Sequence, residues 1–269
     1  MKYWVVDRGD EISQKLTEKF HLLASKYDFK LSEDHPEIVL SIGGDGTFLQ
    51  AFHQFHPLGE AVSFVGVHTG RLGFFADWKP DELDLLAKLM NDSIEQNNLR
   101  IVQYPLVEIE IYTPTGTKKH LAVNEFTLKG VEGTLVAQLN INDEMFEMFR
   151  GDGICISTPS GSTAYNKSLD GAIIHPSIET MQITEIASLN NRVYRTLGSP
   201  MILPKHHHCD IFPQTNKKIL ITLDHLSEQR NDLLSIRCRV SDKKIHFARF
   251  RRFPFWNRVR DAFIGFDVQ

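Results

Sequence analysis

Cysteine and long apolar runs are both scarce in this chain. Three cysteines occur in 269 residues, at wide spacing and without a CxxC pair, a usage that excludes a disulfide framework and indicates a reducing compartment. No run approaches the ~18 apolar residues of a transmembrane helix. The short apolar stretch near the N-terminus is interrupted by Asp7 and Arg8, unlike a signal peptide. We therefore expect a cytoplasmic protein without a membrane partner.

The chain also lacks the strong positive charge of a dedicated nucleic-acid binder. Its net charge is −4, and affinity for DNA or RNA depends on a basic surface, so we expect no nucleic-acid partner. The sequence contains no tandem repeat and no low-complexity linker. With 42% hydrophobic and 24% charged residues the composition is that of a soluble globular protein, and the length suits one large domain or two ordinary ones.

Strand-like and helix-like patterns alternate over residues 1–100. Short apolar runs at 3–6, 38–42 and 62–67 predict strands. A helix capped by Asp10 is predicted to bury Ile12, Leu16, Phe20 and Leu23. A second helix is predicted over 47–55, and a third, after Pro80, is predicted to bury Leu83, Leu86, Ala87 and Met90. This alternation predicts an α/β N-terminal domain with a parallel sheet and helical crossovers.

Beyond residue 100 the apolar period changes to two. Apolar and polar residues alternate in 106–112 and 135–141, and further short apolar runs lie at 121–128, 201–203, 218–223, 234–240 and 245–250. Such patterns predict antiparallel strands in a sandwich-like all-β domain over 101–250, with one helix at 163–169. Helical spacing returns at 255–263, and we expect the segment 251–269 to pack back on the first domain.

The sharpest local feature is a glycine turn between a predicted strand and a predicted helix, Gly43-Gly44-Asp45-Gly46-Thr47. Glycines allow positive φ angles and close backbone approach, and the free N–H groups of a helix start favour an anion. The turn matches neither G-x-G-x-x-G nor G-x-x-x-x-G-K-[ST], which excludes a dehydrogenase-type site and a P-loop. Asp45 would repel a phosphate, so three roles remain open for it: helix cap, Mg²⁺ ligand or general base. A plain tight turn is the structural alternative.

Two polar segments of the β-rich half are further candidates. Asn124 and Glu125 interrupt an apolar strand pattern; an amide can pair with an adenine edge and a carboxylate can accept both ribose hydroxyls, although a solvent-facing polar pair is equally consistent. The segment 157–165, Ser-Thr-Pro-Ser-Gly-Ser-Thr-Ala-Tyr, opens a predicted helix with small hydroxylated residues. This pattern is typical of a nucleotide pocket and also of simple helix capping.

In their order and intervals, the glycine turn, Asn124-Glu125, Gly151-Asp152-Gly153 and the 157–165 segment resemble the NAD kinase family. The resemblance continues through 66–70 (Gly-Val-His-Thr-Gly), 72–74 (Leu-Gly-Phe) and 183–187 (Ile-Thr-Glu-Ile-Ala), and it covers most of the chain. The glycine turn alone is shared with diacylglycerol, sphingosine and 6-phosphofructokinases. The resemblance implies an α/β domain, a β-rich domain and a C-terminal helix that rejoins the first.

The resemblance also implies an activity and its residues. The activity is phosphoryl transfer from ATP, or in some members inorganic polyphosphate, to the adenosine 2′-hydroxyl of NAD, giving NADP, with Mg²⁺ carried by the donor. Asp45 is then the base for that hydroxyl, Asn124 an adenine contact and Glu125 a ribose contact. Asp152 is implied to reach a neighbouring subunit's site, within a homo-oligomer expected to be a tetramer. The other implied binding residues are Gly44, Gly46, Leu49, Phe74, Arg150, Ser160, Thr163, Ala164, Tyr165, Asn166, Lys167, Ser168, Ala187 and His225.

Two other functions remain open: a lipid or sugar kinase that shares the glycine turn, and a non-catalytic NAD-binding regulator. One departure from the family is Asp170-Gly171, where two glycines are usual.

We expect no metal site at His206-His207-His208-Cys209, because adjacent residues on a strand point to opposite faces. The run 243–260 holds seven basic residues and no acid, and we interpret it as a solvated face with subunit contacts.

Overall fold

A computed structural model of the chain describes residues 1–70, 72–214 and 217–265. It divides into two compact units, one formed by Met1–Gln103 and the chain from Ile245 onward, the other by Tyr104–Lys244. The sequence patterns placed these boundaries at 100/101 and 250/251; in the structure they fall within two long strands. The expected returning segment, 251–269, belongs to the first unit as far as residue 265, and 266–269 lie outside the described residues.

The first unit is an α/β domain. Its strands are β1 (Lys2–Asp7), β2 (Lys30–Leu31), β3 (Ile38–Gly43) and β4 (Ser63–His68). Its helices up to residue 95 are α1 (Glu11–Lys26), α2 (Asp45–Phe55) and α3 (Leu83–Glu95). β1 pairs in parallel with β2 and β3, and β3 pairs in parallel with β4. The predicted parallel sheet with helical crossovers is confirmed.

The helices of this unit bury the faces that their sequences predict, with one exception. Asp10 caps α1 by accepting the backbone N–H of Ser13 at 2.8 Å. Phe20 is buried beneath the helix, but Ile12 is 57% exposed, so its predicted place on the apolar face is wrong. Ser13 takes the buried position in the first turn, because its hydroxyl donates back to the Asp10 carbonyl. All four residues predicted for the buried face of α3 are buried.

The second unit is built from antiparallel strands. In chain order its elements are β5 (Ile101–Thr113), β6 (Gly116–Ala122), β7 (Glu125–Gly130), β8 (Leu135–Ile141), β9 (Glu144–Gly151), β10 (Gly153–Ser157), α4 (Tyr165–Ser168), β11 (Thr180–Ile186), β12 (Met201–Pro204), β13 (His208–Pro213), β14 (Ile219–Leu223), β15 (Leu226–Arg230) and β16 (Ser235–Ala248). One sheet has the order β12-β11-β10-β7-β14-β15, and a second set pairs β16-β13-β8-β9. Phe126 and Ile154 of the first sheet share one buried cluster with Leu139 and Ile211 of the second. The predicted β-rich, sandwich-like domain is confirmed.

Local boundaries differ from the sequence patterns in three places. The run 121–128 is two strands, β6 and β7, because the chain turns between them. The runs 234–240 and 245–250 belong to a single strand, β16, apart from Leu234 and the last two predicted residues. The predicted helix over 163–169 is a 3₁₀ turn, Ser160–Thr163, followed by the single turn of α4. The last helix, α5 (Phe255–Phe263), begins and ends where helical spacing predicts it.

Candidate active site

The glycine turn joins β3 to α2 and places Asp45 at the first position of the helix. The helix begins two residues earlier than predicted, with Gly44 as its N-cap and without a side-chain capping bond. The Asp45 carboxylate instead accepts the backbone N–H groups of Phe74 (Oδ2, 2.9 Å) and Phe75 (Oδ1, 3.2 Å). Two N–H donors fix a carboxylate in position. Helix capping is therefore not the role of Asp45.

Glycine is required near Asp45 for space rather than for backbone conformation. None of Gly43, Gly44 and Gly46 has a positive φ, so that part of the expectation is wrong. A Cβ at position 43 would lie 2.7 Å from Thr47 Cβ, and a Cβ at position 73 would lie 2.5 Å from both Cγ and Oδ2 of Asp45. The glycine at 73 therefore leaves the room that the Asp45 carboxylate occupies.

Other residues predicted for the site lie on the same two segments as this carboxylate and its donors. Leu49 is buried on α2, whereas Gly46 is exposed. Phe74 is half-buried, and its ring stacks on Phe263 of α5 with 5.6 Å between ring centroids. The first unit thus brings the glycine turn, the 72–75 segment and the C-terminal helix together.

The basic run 243–260 is not simply a solvated face. Arg249 is buried and paired with the buried carboxylate of Asp77. Arg251 makes a bidentate pair with Glu82, with both N–O distances 2.8 Å, and this pair lowers the pKa of Glu82 to about 2. The sequence showed the charges of the run but not their partners, which lie more than 160 residues earlier in the chain.

In the second unit, Asn124 and Glu125 meet the 157–165 segment. The Asn124 carbonyl accepts the N–H of Thr158 at 2.8 Å. A Cβ at Gly161 would lie 2.6 Å from the Asn124 Cα, so glycine permits the two backbones to touch. The structure thus brings together two predicted segments that are more than 30 residues apart. We call Asn124, Glu125, Ser160 and Tyr165 the Asn124 cluster.

Three side-chain atoms of the Asn124 cluster are buried without a hydrogen-bond partner. They are Asn124 Oδ1, Glu125 Oε2 and Ser160 Oγ. A buried polar atom without a partner is costly. The two acceptors and one hydroxyl suit a polar ligand that carries its own donors.

Asp224 holds this cluster in place and was missed by the sequence patterns. It lies at the turn between β14 and β15, and its carboxylate accepts the backbone N–H groups of Val123, Asn124 and Glu125 at 3.1, 2.8 and 3.2 Å. Its own N–H donates to the Glu125 carbonyl at 2.9 Å. The only signal in the sequence is its place before His225, an exposed residue of the same turn that the family resemblance did single out.

The environment of Glu125 favours the protonated form of its carboxyl group at neutral pH. Burial, and then the negative charge of Asp224, raise the pKa of Glu125 to about 8, against a smaller opposing effect of the Tyr165 backbone N–H. The group therefore presents one donor and one acceptor. Accepting two ribose hydroxyls, as expected for a carboxylate, requires that ligand binding also remove this proton.

Arg150, Asp152 and Ala187 form a separate group, which we call the Asp152 cluster. The Asp152 N–H donates to the Ile186 carbonyl at 2.9 Å, next to Ala187. The Arg150 guanidinium lies 4.4 Å from the centroid of the Tyr194 ring. In the register of β10, Gly153 faces Lys129 of β7, whereas Ser157 faces Glu125. The Asp152 and Asn124 clusters therefore lie at opposite ends of β10.

The rest of the 157–171 segment is arranged around Asn166. This side chain is fully buried, and its Oδ1 accepts the Thr184 hydroxyl at 2.7 Å. A Cβ at Gly171 would lie 2.5 Å from Asn166 Cγ, and Asp170 has a left-handed φ of 58°. Glycine is thus required at 171, and Asp170 adopts the conformation that glycine usually supplies. The remaining predicted residues of the segment are Thr163 (buried), Ala164, Tyr165 and Lys167 (half-buried) and Ser168 (exposed).

One group of potential metal ligands occurs in the parts of the chain that the structure describes. Asp143, His208 and Asp210 have ligand atoms within 4.8 Å of one another, and only His208 comes from the histidine run. Arg237 donates to Asp210 at 2.7 Å and to Asp143 at 2.9 Å. The carboxylates are thus already neutralised by an arginine, which accounts for the cluster without a metal ion.

Solved structures share this architecture. Yeast NADH kinase in complex with NADH aligns with a TM-score of 0.82 at 18% identity, covering 100% of this chain and 89% of that chain. An NAD kinase from Archaeoglobus fulgidus in complex with ATP aligns with a TM-score of 0.74 at 18% identity, covering 98% of both. At these identities the likeness shows the fold: the two-domain fold of these kinases.

Sequence comparison is more specific. Residues 15–94 match the model of the ATP-NAD kinase N-terminal domain, and residues 123–250 match that of the C-terminal domain. The chain is 50% identical to NAD kinase 1 of Bacillus subtilis over 98% of its own length and 99% of that protein's. It is 52% identical to NAD kinase 1 of Listeria innocua with the same coverage. The chain belongs to the ATP-NAD kinase family, and this membership decides against the lipid and sugar kinases.

Proposed function

We propose that this chain transfers a phosphoryl group from ATP to the 2′-hydroxyl of the adenosine moiety of NAD, giving NADP. As a member of the ATP-NAD kinase family the chain is an NAD kinase, and the proposal concerns the residues that bind the substrates and catalyse the transfer. The observation that carries it is the Asp45 carboxylate. This carboxylate makes no helix-capping bond, accepts two backbone N–H bonds and lies at the first position of a helix that follows a glycine turn.

Asp45 acts as the general base. Each of its oxygens accepts one N–H bond and keeps a lone pair for the substrate hydroxyl proton. Phosphoryl transfer gains little from covalent help by the protein and depends on placement and charge neutralisation. Mg²⁺, bound to the donor phosphates, would offset the charge on their oxygens. The free N–H groups at the start of α2 favour the same anions. Gly44, Gly46, Leu49 and Phe74 line this part of the site in our proposal.

The Asn124 cluster binds the nucleoside of NAD. The unpartnered Asn124 Oδ1 suits the exocyclic amine of adenine, and the Glu125 carboxyl suits the ribose hydroxyls. Ser160 offers a third buried polar atom. We assign pocket-wall roles to Thr163, Ala164, Tyr165, Asn166, Lys167 and Ser168, and a place near the phosphates to Arg150 and His225.

The protein acts as a cytoplasmic homo-oligomer, for which we propose a tetramer. Two observations support the cytoplasm: the cysteines are free and buried, and no helix in the described parts of the chain is long and apolar enough to cross a membrane. One observation supports the homo-oligomer: the Asp152 cluster lies at the far end of β10 from the Asn124 cluster. Asp152 would then contact adenine in the site of a neighbouring subunit, and we assign Ala187 a contact in the adenine region.

The test is NADP formation from NAD with ATP and Mg²⁺, run in parallel with inorganic polyphosphate, for the wild type and for Asp45→Asn. Loss of a general base lowers turnover by about 10²- to 10⁴-fold, while NAD binding, followed by calorimetry, stays within about threefold of the wild type. Wild-type turnover in a folded Asp45→Asn variant would refute the base role. Wild-type protein that binds NAD but forms no NADP with either donor would identify a regulator.

A further inference from the structure

Arg258, on α5, is bound to the segment that fixes Asp45. Its guanidinium donates to the Gly73 carbonyl at 2.9 Å and also to the Ala76 carbonyl. The N–H groups that hold Asp45 belong to Phe74 and Phe75, so the two carbonyls bracket those two donors in the chain. One planar guanidinium thus spans both ends of a four-residue segment, 73–76, whose inner N–H groups face Asp45.

The same guanidinium is itself held in one orientation. It donates to Asp77 Oδ1 at 3.0 Å, and Asp77 is also paired with Arg249. The aromatic ring of Phe253 lies 4.3 Å from the Arg258 guanidinium carbon. The side chain of Arg258 is only 11% exposed and that of Asp77 only 5%. Since its donors meet fixed acceptors and its face meets a ring, Arg258 has little freedom to rotate.

The electrostatic environment places Arg258 close to Asp45 as well. Burial lowers the pKa of Arg258, and the charges of Asp77 and Asp45 oppose that effect. Arginine stays charged under such conditions. The charges of Arg258 and Asp45 thus interact, and the backbone of segment 73–76 connects the two residues.

We propose that Arg258 is a positioning residue for phosphoryl transfer: by clamping segment 73–76 it sets the place of the two N–H groups that hold the Asp45 carboxylate. This inference rests on the proposed role of Asp45 as the base. It also gives the C-terminal helix a function in the reaction, since α5 supplies a side chain that bridges the Gly73 and Ala76 carbonyls. A purely structural role, in which Arg258 only attaches α5, is the competing explanation.

Arg258→Ala tests the proposal, with Arg258→Lys as the conservative variant and Arg252→Ala as the matched control. Displacement of a catalytic group by a fraction of an ångström costs about 10- to 100-fold in rate, so kcat falls by that factor while KM for NAD changes less than about threefold. Lysine retains the charge but lacks the planar fork, so Arg258→Lys recovers only part of kcat. Arg252 is exposed, and its replacement leaves kcat and KM unchanged.

Combination with Asp45→Asn separates positioning from structure. If Arg258 acts through Asp45, adding Arg258→Ala to Asp45→Asn lowers the residual kcat less than twofold, since coupled residues are not additive. An unchanged factor in both backgrounds overturns the proposal in favour of a structural role, as does a wild-type kcat in Arg258→Ala. Should Arg258→Ala not fold, Asp77→Asn, which retains the shape of the partner, replaces it in the same cycle. Failure of the base role is distinct: it shows as wild-type turnover in Asp45→Asn alone.

Discussion

Replacement of Gly73 by alanine is a sharp test of how closely turnover depends on the place of the Asp45 carboxylate. The new Cβ would lie 2.5 Å from Asp45 Cγ and Oδ2, whereas ordinary contacts begin at 3.4 Å. Oδ1 of Asp45 would lie closer still, so the carboxylate must move by more than about 0.9 Å, the difference between these two distances. Position 73 has no positive φ, so alanine causes no backbone strain there. The expected damage is confined to the carboxylate.

The magnitude follows from the bonds that this movement stretches. The Phe74 and Phe75 N–H groups lie 2.9 and 3.2 Å from the carboxylate oxygens, and a hydrogen bond to a charged group contributes about 1.5–3 kcal/mol. Loss of one such bond, or misplacement of a base by about 1 Å, corresponds to about 10²-fold in rate. We expect kcat to fall by about that factor, with KM for NAD within about threefold of the wild type.

The assay is steady-state NADP formation, accompanied by thermal unfolding. Gly70→Ala is the matched control in the same region, because a Cβ at Gly70 meets nothing within 4 Å; we expect its kcat to stay within about twofold of the wild type. The half-buried Asp45 side chain can turn toward water, so the unfolding midpoint of Gly73→Ala falls by only a few degrees, about 1 kcal/mol. A kcat within threefold of the wild type in a folded Gly73→Ala variant would contradict the reasoning.

Two further predictions concern the second unit. Asp224→Asn leaves an amide facing three backbone N–H groups; we expect NAD affinity, measured by calorimetry, to fall about tenfold or more through the loss of charge-assisted bonds, and unchanged affinity would remove the positioning role of Asp224. Glu125 has a pKa raised to about 8 in the native state and titrates near 4.3 when unfolded, so between these values the native state holds the extra proton and the free energy of unfolding falls by about 1.4 kcal/mol per pH unit as pH rises. Glu125→Gln removes that slope, and parallel urea-unfolding stabilities of the two proteins from pH 5.5 to 7.5 would contradict this.

Local features of the site could be predicted from the sequence, whereas its tertiary partners could not. Adjacent residues predict the strand, turn and helix around Asp45, and adjacent residues also define the hydroxylated segment at 157–165. The donors to Asp45 come from Phe74 and Phe75, about 30 residues away, and no periodicity links them to it. Asp224 was overlooked for the same reason: a single acid in a hairpin turn has no local signature, and its role depends on backbone N–H groups 100 residues earlier.

At Asn124 the sequence pattern indicates the correct polar residues but the wrong backbone structure. The apolar run 121–128 predicts one strand with a polar interruption. In the structure the interruption is a turn, stabilised by Asp224 and by the packing of Gly161 on the Asn124 backbone. Asn124 lies in this turn and Glu125 is the first residue of β7, and Asp224 holds both through their backbone N–H groups, so neither side chain is needed to fix the chain there. This freedom leaves the Asn124 and Glu125 side chains with unpartnered atoms for a ligand.

The ion pairs of three arginines in the C-terminal segment bear on how an acidic protein binds the phosphates of ATP and NAD. Arg249 and Arg258 are both engaged with Asp77, and Arg251 is engaged with Glu82. Their charges stabilise the C-terminal segment and are not available to neutralise a phosphoryl group. Besides Arg150 and His225, which we propose to lie near the phosphates, the N–H groups at the start of α2 remain, and their partial positive charge favours an anion. Such dipoles offset far less charge than a cation does, so we expect turnover to depend steeply on the Mg²⁺ that accompanies the donor.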